Sequence, residues 1–212
     1  MKIIVLSPQK SVENEIETVI SMFEEGMNIF HLKKPHYSSK KLKSYLDKIP
    51  NEFHNRIVIH THLGFALKYN LKGIHLSSKH KKLTIRNWFL LKRIKRKNPW
   101  ITVSTSFQSI SDVELYKDLY DYVFLSPIFD SISMNDYQSG FKEFSLSSAT
   151  KRSNYKIVAL GGVEVGKIEK AISLGFWGCG FLGAIWGKEE PLEFFKAIKA
   201  KCAELKELSE ER

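Results

Sequence analysis

"KIVALGGVEVGKIEKAISLGFWGCGFLGAI", residues 156–185, opens on an apolar run, passes through a stretch of helical period and closes on a second apolar run. Lys156 to Gly161 is β-rich. VGKIEKAISLGF, 165–176, spaces its apolar residues three and four apart, and GCGFLGAI, 178–185, is strand-like again. Strand, helix and strand in that order make the crossover unit of a parallel sheet. Both strand runs break at glycine, at Gly161-Gly162 before the helix and at Gly183 after the second strand.

The same alternation extends back to the first residues. Further strand runs are KIIVLS (2–7), NIFHLK (28–33), RIVIHT (56–61), GIHLSS (73–78), WITVST (100–105) and YVFLSP (122–127). Between them lie the helix candidates VENEIETVISMFEEG (12–26), SSKKLKSYLDKI (38–49) and SISDVELYKDLY (109–120), and Pro191 starts a last helix over about 191–208. Eight strands, each apolar on both faces and each followed by a helix, predict a closed (β/α)8 TIM barrel rather than an open sheet. The one irregular connection is the Ser- and Asn-rich segment 130–154, expected as a long loop before a short helix. No linker, repeat or low-complexity tract divides the chain, so 1–212 is expected as a single barrel domain.

Composition narrows the function. With 212 residues and 43% hydrophobic content, the chain can bury a real core. No stretch approaches the roughly 20 apolar residues of a membrane span, and the first residues do not read as a signal peptide. Cys179 and Cys202 offer neither a disulfide framework nor a zinc spacing, so a cytoplasmic protein with no membrane partner is expected. The net charge of +10 asks for an acidic partner, and much of it lies in KHKKLTIRNWFLLKRIKRK, residues 79–97. There Ile85, Trp88, Phe89, Leu91 and Ile94 recur at helical spacing with basic residues between, which predicts an amphipathic helix with a solvated basic face. No nucleic-acid recognition signature accompanies it, so a phosphorylated small molecule is the expected partner. A homodimer is left open.

In such barrels the chemistry sits where strands break into loops. Those positions are Ser7-Pro8, Lys33-Lys34, His60-Thr61-His62, Ser77 to His80, Ser104 to Ser106, Ser126 to Ser133, Gly161-Gly162 and Leu182-Gly183. Hydroxyls, glycines, lysines and histidines dominate this ring, and carboxylates are nearly missing from it. Paired glycines before a helix expose backbone amides and let the chain approach an anion closely, so the seventh and eighth strand ends predict a phosphate cup.

HLKKP, IVIHTHLGFALKYNLKGIHLSSKH, VSTS, DYVFLSPIFDS, IVALGGV and GFLGAI follow the order and spacing of a known superfamily. Through them the chain resembles the thiamine phosphate synthases and thiazole tautomerases, (β/α)8 barrels, over most of its length. The resemblance implies thiamine biosynthesis: a transferase joining hydroxymethylpyrimidine pyrophosphate to thiazole phosphate with pyrophosphate release. It also implies magnesium. Thiazole-phosphate contacts carry over to Gly161, Gly162, Leu182 and Gly183, and to Ser131 and Ser133 in place of the family's paired threonines. Met134 stands where a lysine usually follows. The pyrophosphate strand reads His31-Leu32-Lys33-Lys34-Pro35, with Lys33 at an arginine position and Lys34 one place beyond the usual lysine. Ser104 keeps the serine beside the pyrimidine pyrophosphate.

The magnesium aspartates are replaced by Thr61 and His80, so no metal site is expected. A softer site from His60, His62 and His80 is conceivable, because His60 and His62 share a strand side by period two, but no carboxylate or cysteine completes it. The histidines then read as anion-binding or acid–base groups. Lys33, Lys34, His60 and His80 are the catalytic candidates, and His31 and His62 join the substrate-binding set. His75 reads as a packed residue, and His36 and His54 as loop or surface positions. Two alternatives stay open: a tautomerase-like isomerase, although Pro127 stands where the best-known tautomerases carry a histidine, and a non-catalytic binder of thiazole phosphate or thiamine phosphate.

Overall fold

A computed structural model of the chain describes residues 1–77, 85–115, 120–129 and 141–210. Eight parallel strands follow one another around a closed barrel in chain order: β1 Lys2–Leu6, β2 Phe30–Leu32, β3 Ile57–Ile59, β4 Gly73–Leu76, β5 Thr102–Phe107, β6 Tyr122–Leu125, β7 Lys156–Ala159 and β8 Gly178–Phe181. Their helices are α1 Glu15–Glu24, α2 Ser39–Asp47, α3 Ile85–Lys97, α4 Ile110–Leu115, α5 Glu143–Arg152, α6 Ile168–Ser173, α7 Gly183–Trp186 and α8 Pro191–Glu210. The predicted (β/α)8 architecture is the one observed. Strands β2, β3, β4, β6 and β8 are buried at every residue, as parallel strands covered on both faces must be.

Two compact units can be told apart, Leu6–Ser106 and Met1–Val5 with Phe107–Arg212. In Leu6–Ser106, α1 lays Val19, Met22 and Phe23 inward, a three- and four-residue spacing that makes one apolar stripe. Phe23 stacks on Phe53 with ring centroids 5.0 Å apart, and Arg56 donates to the Phe23 carbonyl at 2.9 Å, a cation on the C-terminal end of the helix. Ser38 caps α2 by accepting from the Lys41 amide, so Leu42, Tyr45 and Leu46 face inward. In the other unit β1 pairs with β8 from Lys2↔Gly178 to Val5↔Phe181, and β6 pairs with β7 from Tyr122↔Lys156 to Leu125↔Ala159. Helix α8 begins at Pro191, whose missing N–H costs nothing at a helix start, and buries Phe195 and Ile198.

Three expectations need correction. The third strand stops at Ile59, and His62 adopts a left-handed backbone (φ 50°), so the chain turns where period two would have continued. His54 is buried, with Nε2 shared between the carbonyls of Leu46 and Ile49 at 3.1 and 3.0 Å. On α3, among the stripe residues whose burial is described, Ile94 alone is fully buried; Trp88 and Phe89 are 47% and 60% exposed. No described helix is long and apolar enough to cross a membrane.

Candidate functional site

In the unit Leu6–Ser106, strands β2, β3 and β4 bring three histidines together. His31 lies in β2 opposite Val58, and His60 follows directly on the end of β3; Ile59 pairs with Ile74, which carries His60 next to His75. All three are buried, at 0%, 7% and 4% exposure. His31 Nδ1 and His60 Nε2 are 2.9 Å apart and share a hydrogen bond. The rings of His60 and His75 stack with centroids 4.1 Å apart. His75 holds the Ser104 hydroxyl at 3.0 Å from Nδ1 and the Ser106 hydroxyl at 3.2 Å from Nε2. Burial pushes His31 and His60 well below the ordinary histidine range, and the neighbouring His75 adds to it; Lys33 contributes further at His60. These are neutral imidazoles at physiological pH, able to accept a proton, a hydrogen bond or a metal, but not to serve as fixed cations for a phosphate.

The two lysines that follow β2 part company. Lys33 is half-buried, and its amide donates to the Ser7 hydroxyl at 2.8 Å, while the Ser7 amide donates to the His31 carbonyl at 2.9 Å. Those two bonds fix the end of β2. Lys34 turns away from the strand end and is wholly buried, its ammonium 2.6 Å from Glu15 and 3.0 Å from the Lys10 carbonyl. Tyr45 donates to the other Glu15 oxygen at 2.9 Å, and burial pushes its hydroxyl pKa upward. Lys34 is therefore an ion-paired structural cation rather than the pyrophosphate-binding cation expected of it.

His62 is exposed, and its Nε2 meets the Tyr37 carbonyl at 2.9 Å, away from the other histidines. Among the described residues the imidazole set is therefore His31, His60 and His75, and His62 stands outside it. His80, Ser131 and Ser133 lie outside the described residues.

In the unit that contains β6 to β8, the strand ends carry the second feature. Gly161 and Gly162 both take positive φ, 88° and 63°, values that a side chain would strain. A Cβ on Gly161 would stand 3.0 Å from Pro127 Cα and Cβ and 3.2 Å from Ser126 Oγ, so the backbone closes on the residues just after β6, an approach that favours glycine. Phe129 donates to the Gly161 carbonyl at 3.1 Å, which fixes the turn. The N–H groups of Gly162 and Gly183 take no hydrogen-bond acceptor among the described residues. Leu182, with ψ at −78°, sets the chain into α7, whose first residue is Gly183.

Magnesium does not fit these residues. It takes hard oxygen ligands in near-octahedral geometry. At one of the two aspartate positions stands Thr61, a neutral hydroxyl that is buried with no hydrogen-bond partner among the described residues. No Asp or Glu occurs between Glu52 and Asp112. Of the acids before them in the same unit, Glu15 is held by Lys34 and Tyr45, and Asp47 by Lys43 and Tyr69 at 2.5 and 2.7 Å.

A family model described as thiamine monophosphate synthase matches residues 3–185. The thiamine-phosphate synthase of Psychrobacter sp. (strain PRwf-1) is 24% identical over 180 residues, covering 83% of this chain and 82% of that protein. That of Clostridium tetani is 25% identical over 184 residues, with 85% and 81% covered. Among solved structures, a thiamine phosphate pyrophosphorylase from Bacteroides thetaiotaomicron superposes with a TM-score of 0.77 at 29% identity, covering 96% of this chain and 98% of that one.

Proposed function

The chain belongs to the thiamine monophosphate synthase family, and from that premise we propose that it is a cytoplasmic transferase joining hydroxymethylpyrimidine pyrophosphate to thiazole phosphate. The observation that carries this is the Gly161-Gly162 turn at positive φ, where the Gly162 amide takes no acceptor among the described residues and a phosphate monoester of the thiazole would be held. In the transfer, the bond from the pyrimidine methylene carbon to the pyrophosphate oxygen breaks with its electrons on oxygen, and the thiazole nitrogen supplies the pair for the new C–N bond. Pyrophosphate leaves with the charge it gained. The groups that meet this charge are Lys33, by its ammonium, and Ser104 and the neutral imidazoles of His31 and His60, by hydrogen bonding. Magnesium has no step here, because the residues that would hold it are not carboxylates.

One observation favours a second reading, a binder of thiazole phosphate or thiamine phosphate without turnover. Lys34 is committed to Glu15, which leaves a single lysine at the end of β2. The deciding experiment follows thiamine phosphate formation by the purified protein from both substrates, with magnesium and with chelator. Product that persists under chelator supports a metal-independent transferase. No product in either condition, with thiazole phosphate still binding in a calorimeter, leaves the binder; no binding either removes both readings.

A further inference from the structure

We infer that His31, His60 and His75 form a binding site for a first-row divalent transition metal of the zinc type, with three imidazole ligands and one open position. This inference is independent of whether the transfer reaction occurs. One ligand atom from each of the three rings lies within 4.8 Å of the others, and all three residues are buried, His31 in β2, His75 in β4 and His60 just past the end of β3. Zinc–nitrogen bonds of about 2.0–2.1 Å put tetrahedral nitrogens about 3.4 Å apart. The His31–His60 pair at 2.9 Å must open by about half an ångström to meet that spacing, and a pair at the 4.8 Å limit must close by about 1.4 Å.

The chemistry of the set selects the metal. Imidazole without carboxylate suits zinc, cobalt, nickel or copper and is poor for magnesium or calcium. The hydroxyls that position His75 are outer-shell partners of the kind that fix which ring nitrogen faces a metal: with Ser104 accepting from Nδ1–H, the Nε2 lone pair is the one available, and the cation would displace the Ser106 hydroxyl from it. When the cation enters between His31 and His60, the proton they share moves to the outer nitrogen of the donating ring. No Asp or Glu between Glu52 and Asp112 can neutralise the ion, so its open position is suited to an anionic oxygen.

Protein freed of metal with a chelator and titrated with Co²⁺ at neutral pH is expected to take up one equivalent per chain. It should develop visible ligand-field bands without a near-ultraviolet thiolate charge-transfer band, and Zn²⁺ should erase them. Inorganic phosphate should shift these bands; an unshifted spectrum would overturn the open position. His60→Asn should weaken Co²⁺ binding more than about a hundredfold, and Ser104→Ala by roughly 10- to 100-fold as for an outer-shell partner. His36→Ala, at an exposed position outside the set, should bind as the parent does. Circular dichroism establishes that each variant is folded, and the parent spectrum stands without them. Absence of stoichiometric uptake by the folded parent, a thiolate band pointing to Cys179 or Cys202, or undiminished binding by folded His60→Asn would each overturn the site.

Discussion

Replacing Lys34 with methionine keeps most of the side-chain volume and removes the ammonium from a wholly buried ion pair. Glu15, 4% exposed, would then keep only the Tyr45 hydroxyl at 2.9 Å and a long 3.4 Å bond from the Val12 amide. A buried charge stripped of its partner costs about 3–5 kcal/mol, more than the pair itself contributes relative to apolar residues. For a chain of this length each kcal/mol moves Tm by about 2–4 °C, so Lys34→Met should melt about 6–20 °C below the parent. Glu15→Gln should fall in the same direction, because it leaves the ammonium unpaired. The double variant Glu15→Leu/Lys34→Met removes both charges and should be more stable than the sum of the single losses by roughly 1–3 kcal/mol. Thermal melts and urea titrations followed by circular dichroism measure all three. If Lys34→Met melts within about 2 °C of the parent while losing affinity for pyrophosphate, Lys34 is a site cation and the structural assignment fails.

Acid should destabilise the metal-free protein through the histidine cluster. His31 and His60 titrate well below the unfolded value of about 6.5, so the unfolded chain binds two more protons than the folded one as pH falls below that value. Their contribution is fully present above pH about 6.5 and is lost at up to about 3 kcal/mol per pH unit below it, until the folded histidines protonate; urea midpoints at a series of pH values measure the slope, and a flat profile from pH about 6.5 to 5 would contradict the buried neutral cluster. Gly161→Ala should cost about 1–3 kcal/mol, from φ +88° and the 3.0 Å approach to Pro127, and should weaken thiazole phosphate binding, read by urea unfolding and calorimetry. The Cys179 thiol, pushed up to about 12 by burial, should resist alkylation at pH about 8 in the native state, while half-buried Cys202 reacts first; mass spectrometry of peptides after timed iodoacetamide treatment decides the order.

The barrel was legible because hydrophobic periodicity changes with each element and because strands covered on both faces read as unbroken apolar runs. The Gly161-Gly162 turn was legible too, since two adjacent glycines at a strand end mark a backbone that takes positive φ. The histidine set was only half legible. His31 and His60 stood out as polar residues in apolar strands, but His75 joins them through the Ile59↔Ile74 register, and register between non-adjacent segments is not written locally. His62 misled for a related reason: period two holds only while the strand lasts, and the strand ends at Ile59. Lys34 could have been recognised from its partner. Glu15, Val19 and Met22 are spaced by four and three along α1, so an acid sits on the helix's buried face, and such an acid requires a buried cation nearby.

The absence of Asp and Glu from Glu52 to Asp112 also has a kinetic consequence. A long run of the chain with basic residues and no compensating acid projects a positive potential into solvent, beyond contact range, over about 8–10 Å at physiological ionic strength. Polyanions the size of a pyrophosphate ester are drawn in by such a field before any specific hydrogen bond forms, and their capture rate should fall steeply as salt is added while the bound lifetime changes little. A missing residue type can thus set an encounter rate.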